Sequence, residues 1–132
     1  HTLFAENLVK LGDIEAHLDG VDRMRHVAAE WSPERVTAVT GVAAERIRTL
    51  TRELAGTERA VVYGRIGLCN QEFGSLASWL VDVVNILTGH LDTPGGSMFP
   101  RAAAWSVTVQ PIDADDAVRR GLSMAAAAIW TK

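Results

Sequence analysis

The residues whose types and order can do chemistry lie in one stretch, Tyr63-Gly64-Arg65-Ile66-Gly67-Leu68-Cys69-Asn70-Gln71-Glu72-Phe73-Gly74. A short apolar run precedes it and a long apolar run follows. It therefore reads as a loop between a strand and a helix, the place where α/β sheets bind ligands. Glycines there let the backbone approach a ligand closely, and the amides that open the next helix favour anionic groups such as phosphate. Asn70 and Gln71 can each donate and accept, which suits the edge of an amide-bearing ring such as a pterin or guanine. The same glycines serve equally well to make turns, and the same amides to cap the helix. Gly64-x-x-Gly67 is neither the dinucleotide GxGxxG nor a P-loop. At Gly67 two causes stand open, close approach of a ligand or a backbone that needs positive φ.

Other chemistry-bearing residues are sparse. Cys69 is the one cysteine, so no internal disulfide can form. It reads as a small buried residue and not as a metal ligand. His1, His17, His26 and His90 lack ligand spacing and read as solvated or capping side chains. Arg46, Arg48 and Arg52 share a charged helix face that needs only water. Asp82 and Asn85, on an apolar helix, read as hydrogen-bonding to neighbouring backbone. No catalytic and no metal-binding residue is assigned within the chain. A net charge of -3 with scattered Lys and Arg excludes a nucleic-acid footprint. The longest apolar run, Leu76 to Leu87, is too short to span a bilayer, so no transmembrane segment is expected. The chain opens on His1 without a signal-peptide pattern, which favours an excerpt of a longer protein.

The elements that must position the loop follow from periodicity and punctuation. Thr2 to Leu11 carries Leu3, Phe4, Leu8 and Leu11 at helical spacing and stops at Gly12. A short helix follows from Asp22 toward Trp31. Ser32-Pro33-Glu34 starts another, which Gly41 ends. Ala43 to Ala55 is a helix with Ile47, Leu50 and Leu54 on one face and Gly56 as its stop. Ala60-Val61-Val62-Tyr63 reads as a strand covered on both faces. Leu76 to Leu87 reads as a mostly buried helix whose polar stripe is Ser78, Asp82 and Asn85, closed by Thr88-Gly89. Pro94-Gly95-Gly96 makes a turn. The order helix, strand, glycine loop, buried helix predicts a fold of the α/β class. It is a helix-rich, partial doubly wound (Rossmann-like) layer with few strands. Beyond Pro100, Trp105, Val107 and Val109 alternate like a strand, and an Ala-rich helix follows through Ala125 to Ala128.

Three motifs stand in register along this frame. Ser32-Pro33-Glu34-Arg35-Val36, then Thr40-Gly41-Val42 and Ile47, run from "PE" through "TG" into a helix. Ile66-Gly67-Leu68-Cys69-Asn70-Gln71 is similar to a Met-Gly-x-x-Gln loop with one extra residue. Leu87-Thr88-Gly89-His90-Leu91-Asp92-Thr93-Pro94-Gly95-Gly96 is similar to "LTGN-x-G-x-PGG", with His90 in place of Asn and Asp92 in place of Gly. Together they make Trp31 to Pro100 resemble the cofactor-binding region of the bis-molybdopterin-guanine-dinucleotide oxidoreductases, the family of formate dehydrogenases, nitrate reductases and dimethyl sulfoxide reductase. The formate-dehydrogenase-like branch is the nearest in pattern.

The resemblance implies that residues 1–100 form a segment of the cofactor-binding α/β domain, and it leaves the tail 101–132 without a counterpart. It implies a part of the catalytic subunit of a molybdenum or tungsten oxidoreductase, an enzyme as a longer chain and inactive as this piece. Molybdopterin guanine dinucleotide would lie against Gly67 and Gln71, with Ile66 and Asn70 beside them. An iron-sulfur cluster and the metal ligand would come from elsewhere in the full chain. The partners implied are the remainder of that subunit and an electron-transfer subunit. A cytoplasmic location is favoured, with periplasmic export still open. Two other readings compete, a free-standing nucleotide-binding α/β module and a helical interaction module suggested by the Ala-rich tail.

Overall fold

A computed structural model describes residues 1–98; the strand and Ala-rich helix expected after Pro100 lie outside them. The described residues form α1 (Thr2–Ala5), a 3-10 helix (Gly12–His17), α2 (Val21–Ala29), α3 (Pro33–Thr40), α4 (Ala44–Gly56), α5 (Ile66–Cys69) and α6 (Gly74–Leu87). Their one β interaction is an isolated parallel bridge between Leu91 and Ser97.

Local signals explain most boundaries. Ser32 sits extended at the start of α3 and its hydroxyl accepts from the Arg35 amide at 3.4 Å, while Pro33 takes the first helical position. Gly41 ends α3 in the left-handed conformation, φ 69°. The first helix is shorter than its apolar spacing predicts. Asn7 turns left-handed at φ 54°, and the Leu8 amide reaches back to the Leu3 carbonyl at 2.8 Å. That is the closing pattern of a Schellman turn, with Asn in glycine's usual place and Leu8 packing beside Leu3.

The core is small. Leu3 and Phe4 of α1, Ala28 of α2, Ala55 of α4 and Leu87 of α6 pack together, with Leu8, Val9, Leu11, Val21, Met24 and Val83 around them. Lys10 ties the same corner: its amide donates to the Leu87 carbonyl and its ammonium to the Ala55 carbonyl, both at 2.8 Å. The charged face of α4 is paired rather than simply solvated. Arg52 reaches Glu6 at 2.8 Å and Glu45 at 3.2 Å, and Arg48 pairs with Glu34 on α3. Leu50, expected on the apolar face, is exposed.

α6 departs from the expectation of near-complete burial. Only Gly74 and its last residues, Asn85, Ile86 and Leu87, are buried, and Leu76 is half exposed. The stripe is also partly inverted, because Asn85 points inward and is the most buried side chain among the described residues. The helix leaves the core at its C-terminal end, and its fourteen residues put its start roughly 20 Å away.

Candidate functional site

The expected strand at Ala60 to Tyr63 has no ladder partner among the described residues. In its place, the side chain of Asn85 pairs with Val62. The Asn85 Oδ1 accepts from the Val62 amide and its Nδ2 donates to the Val62 carbonyl, both at 2.9 Å; Nδ2 also donates to Val81 at 3.1 Å. The backbone reading of Asn85 therefore holds, whereas Asp82 is exposed.

The stretch from Gly64 to Gly74 is not all loop, because Ile66–Cys69 makes one helical turn. Asn70 continues it, its amide donating to the Ile66 carbonyl at 3.0 Å. Ile66, Gly67 and Asn70 stand at i, i+1 and i+4, so the 3.6-residue period brings these three to one side of the turn, and Gln71 follows where the chain leaves the helix (Asn70 ψ 32°). All four are exposed, Ile66 by 73%. A methyl group built on Gly67 would meet nothing within 4 Å, and Gly67 is absent from the positive-φ positions. The backbone cause for glycine at 67 is thereby removed, and a bare, open face remains. The Gln71 amide nitrogen donates locally to the Leu68 carbonyl at 3.3 Å, and no hydrogen bond to another described residue occupies the Asn70 side chain.

A different glycine has the structural task. Gly74 is buried at the start of α6, and a Cβ there would run into the Cys69 backbone, with the Cys69 Cα at 2.9 Å. This contact packs α5 against α6 and sets the loop's exit. Phe73 precedes it in the left-handed conformation, φ 61°, and no side chain caps the first turn of α6. Tyr63, Ile66, Phe73, Val61 and Leu76 are all more than half exposed, so apolar side chains flank the amide-bearing turn along the chain.

Two residues are corrected. Cys69, expected to be buried, is exposed, with its thiol 4.0 Å from the Arg65 carbonyl. Its place on a short turn with few neighbours outweighs its tendency to bury. His90, expected to be solvated or capping, is 3% exposed. Its Nε2 lies 2.8 Å from the Thr57 carbonyl, which makes Nε2 the protonated nitrogen, and Nδ1 is 2.9 Å from the Thr88 hydroxyl. His90 thus staples the end of α6 to the exit of α4. The glycines after it complete this knot: Gly95 has φ 88°, and Gly96 packs against the His90 carbonyl. Among the described residues no three His, Cys, Asp or Glu side chains converge as metal ligands would.

No family model matches the sequence, and no solved structure matches it significantly. Curated proteins do match. Dimethyl sulfoxide reductase DmsA of Haemophilus influenzae is 34% identical over 76 residues, 58% of this chain and 9% of the relative. Formate dehydrogenase H of Escherichia coli is 26% identical over 100 residues, 76% of this chain and 14% of the relative. Trimethylamine-N-oxide reductase of Vibrio parahaemolyticus is 29% identical over 105 residues, 74% of this chain and 13% of the relative. Two reductases and a dehydrogenase thus each match more than half of this chain, and the three motifs in register point the same way. The chain resembles the catalytic subunits of molybdopterin oxidoreductases and spans 9% to 14% of the length of these relatives.

Proposed function

We propose that this chain is a segment of the catalytic subunit of a molybdenum or tungsten oxidoreductase, and that the turn from Ile66 to Gln71 lies against a molybdopterin guanine dinucleotide. The observation that carries the reading is the shared exposure of Ile66, Gly67 and Asn70 on one side of the α5 turn, with Gln71 exposed directly after it. The residues fit such a group. Gly67 leaves its backbone bare for a flat ring, and the Asn70 and Gln71 amides offer donors and acceptors to ring edges. The first turn of α6, which no side chain caps, begins three residues after Gln71, and its free amides favour negative charge. When bound, the metal and its dithiolene ligands supply the redox chemistry. The residues of this chain hold and orient the dinucleotide. An α/β layer remains part of the proposal, with the pairing at Val62 as its support. Cluster, electron-transfer partner and a cytoplasmic location belong to the same reading.

The test compares Gln71→Ala with Cys69→Ala in the full protein that contains this chain. Removing an amide that bonds a desolvated ring edge costs about 1–3 kcal/mol, or roughly 5- to 150-fold in retention. Cys69 is exposed, so its truncation loses little packing. Pterin and metal per purified protein, after timed incubation in mild urea, should drop at Gln71→Ala and stay near wild type at Cys69→Ala. Equal loss in both variants, or none at Gln71→Ala, refutes the site.

A further inference from the structure

We infer that Asn85 is a positioning residue for the Ile66 to Gln71 face, standing in for a neighbouring strand and fixing the segment that enters the face. The inference rests on the proposed function for what that face binds, but its geometry stands on its own. Asn85 is 1% exposed and its amide is fully engaged, accepting from the Val62 amide and donating to the Val62 and Val81 carbonyls. A side-chain amide presents C=O and N–H side by side. Bonded to the N–H and C=O of one residue, it makes the same two-bond exchange that a paired residue makes in a ladder. A strand-like run that finds no strand beside it among the described residues is thus held by one residue of a helix.

The position of this clasp gives it consequences. Ile66 lies four residues beyond Val62, and Arg65 between them is extended. The same loop is held a second time where the Cys69 backbone packs on Gly74. Both holds belong to α6, one near its end and one at its start. The exposed face hangs between them, so releasing Val62 frees its entry while its exit stays fixed. Sequence periodicity hides this role, because it counts Asn as a solvent-facing residue.

Asn85→Asp and Asn85→Leu in the full protein test the inference, read by hydrogen exchange of residues 60–71 relative to wild type at each pH and by pterin content. The Leu variant should exchange about tenfold faster at Val62 and onward and retain less pterin. The Asp variant should change with pH. As the neutral acid it still accepts from the Val62 amide and donates its O–H to the Val62 carbonyl. As the carboxylate it faces that carbonyl with a second acceptor and lets go. Burial disfavours the carboxylate, so its transition falls above the ordinary Asp value of about 3.9, with protection present below it and lost as pH rises through it. The ionisable residues on the packed elements are Asp82 on α6, Glu58 and Arg59 before Val62, Arg65 after it and His90 beyond; none hydrogen-bonds the Asn85 side chain. Unchanged exchange in both variants overturns the inference, as does fast exchange in the Asp variant at every pH. If the Leu variant does not accumulate, the pH dependence within the Asp variant decides alone. Faster exchange with undiminished pterin upholds the hold of Asn85 on the segment and overturns the cofactor reading of the face.

Discussion

Replacing Gly67 with Ala separates a ligand face from a turn, and the structure sets the size of each effect. Gly67 lies in the helical turn α5, outside the positive-φ positions, and a methyl there meets no atom within 4 Å. Without cofactor the change should therefore cost nothing, and it favours the helical turn by about 0.5–1 kcal/mol because alanine has less backbone freedom to lose. With a ring packed on the glycine, the added carbon overfills a close contact. Such overpacking costs roughly 1–3 kcal/mol, which is about 5- to 150-fold in release. Gly74→Ala is the matched control, since its methyl would strike the Cys69 backbone and should loosen α5 from α6 whether or not cofactor is present. The assay is pterin and molybdenum retained by each full-length variant after timed urea exposure, paired with hydrogen exchange of residues 64–76 in cofactor-free protein. Gly67→Ala should lose cofactor with unchanged or slower exchange, and Gly74→Ala should show both defects. Normal retention in Gly67→Ala refutes the ligand contact. Faster exchange without cofactor makes Gly67 a structural glycine and refutes the geometric argument as well.

Two further outcomes follow from the frame around the site. His90→Leu keeps the bulk but leaves the Thr57 carbonyl and the Thr88 hydroxyl without their ring partner, so it should destabilise the knot by about 2 kcal/mol or more. Hydrogen exchange of residues 90–97 about 30-fold faster than wild type is the expected reading, and an unchanged rate excludes the staple. The Arg52 hydrogen bond holds the Glu6 carboxyl below the ordinary glutamate value, and Arg48 does the same for Glu34. Because these folded values are depressed, the stabilisation is complete above the unfolded value of about 4.3 and fades as pH falls through the folded value. Protection of α1 and α4 should weaken on that acid side, and Arg52→Ala should flatten the dependence at Glu6; an acid limb identical in the variant rules the pair out as its source.

The frame was legible where a single residue type decides the backbone. Ser32 with Pro33, Gly41 and Thr88-Gly89 mark their boundaries because capping and left-handed φ are local demands. Asn7 shows the limit of the same logic, since asparagine can end a helix as glycine does while the apolar spacing runs on past it. The candidate site residues stand close together in the sequence. Their arrangement was not legible, because the stretch reads as loop and only the Asn70 to Ile66 bond shows the helical turn within it. His90 was misjudged, and the distant partner of Asn85 was hidden, for one shared reason. A polar side chain on an apolar element is buried when a backbone group waits for it, and that group can lie 23 or 33 residues away.

The exposure of the candidate face also has a physical reading. Val61, Tyr63, Ile66, Phe73 and Leu76 present apolar surface along the same stretch that carries the Asn70 and Gln71 amides. Exposed apolar side chains beside a few hydrogen-bonding groups are the composition that the proposed function asks of a covered surface. The core, meanwhile, sits at the far end of α6 and draws on α1, α2 and α4. The division of labour is therefore between the ends of one helix. Its C-terminal end is buried in the frame that Lys10 and His90 tie together, and its N-terminal end projects the turn outward. Asn85 belongs to the first end by burial and acts on the second through Val62, so any shift in the frame is passed to the face by a pair of 2.9 Å hydrogen bonds.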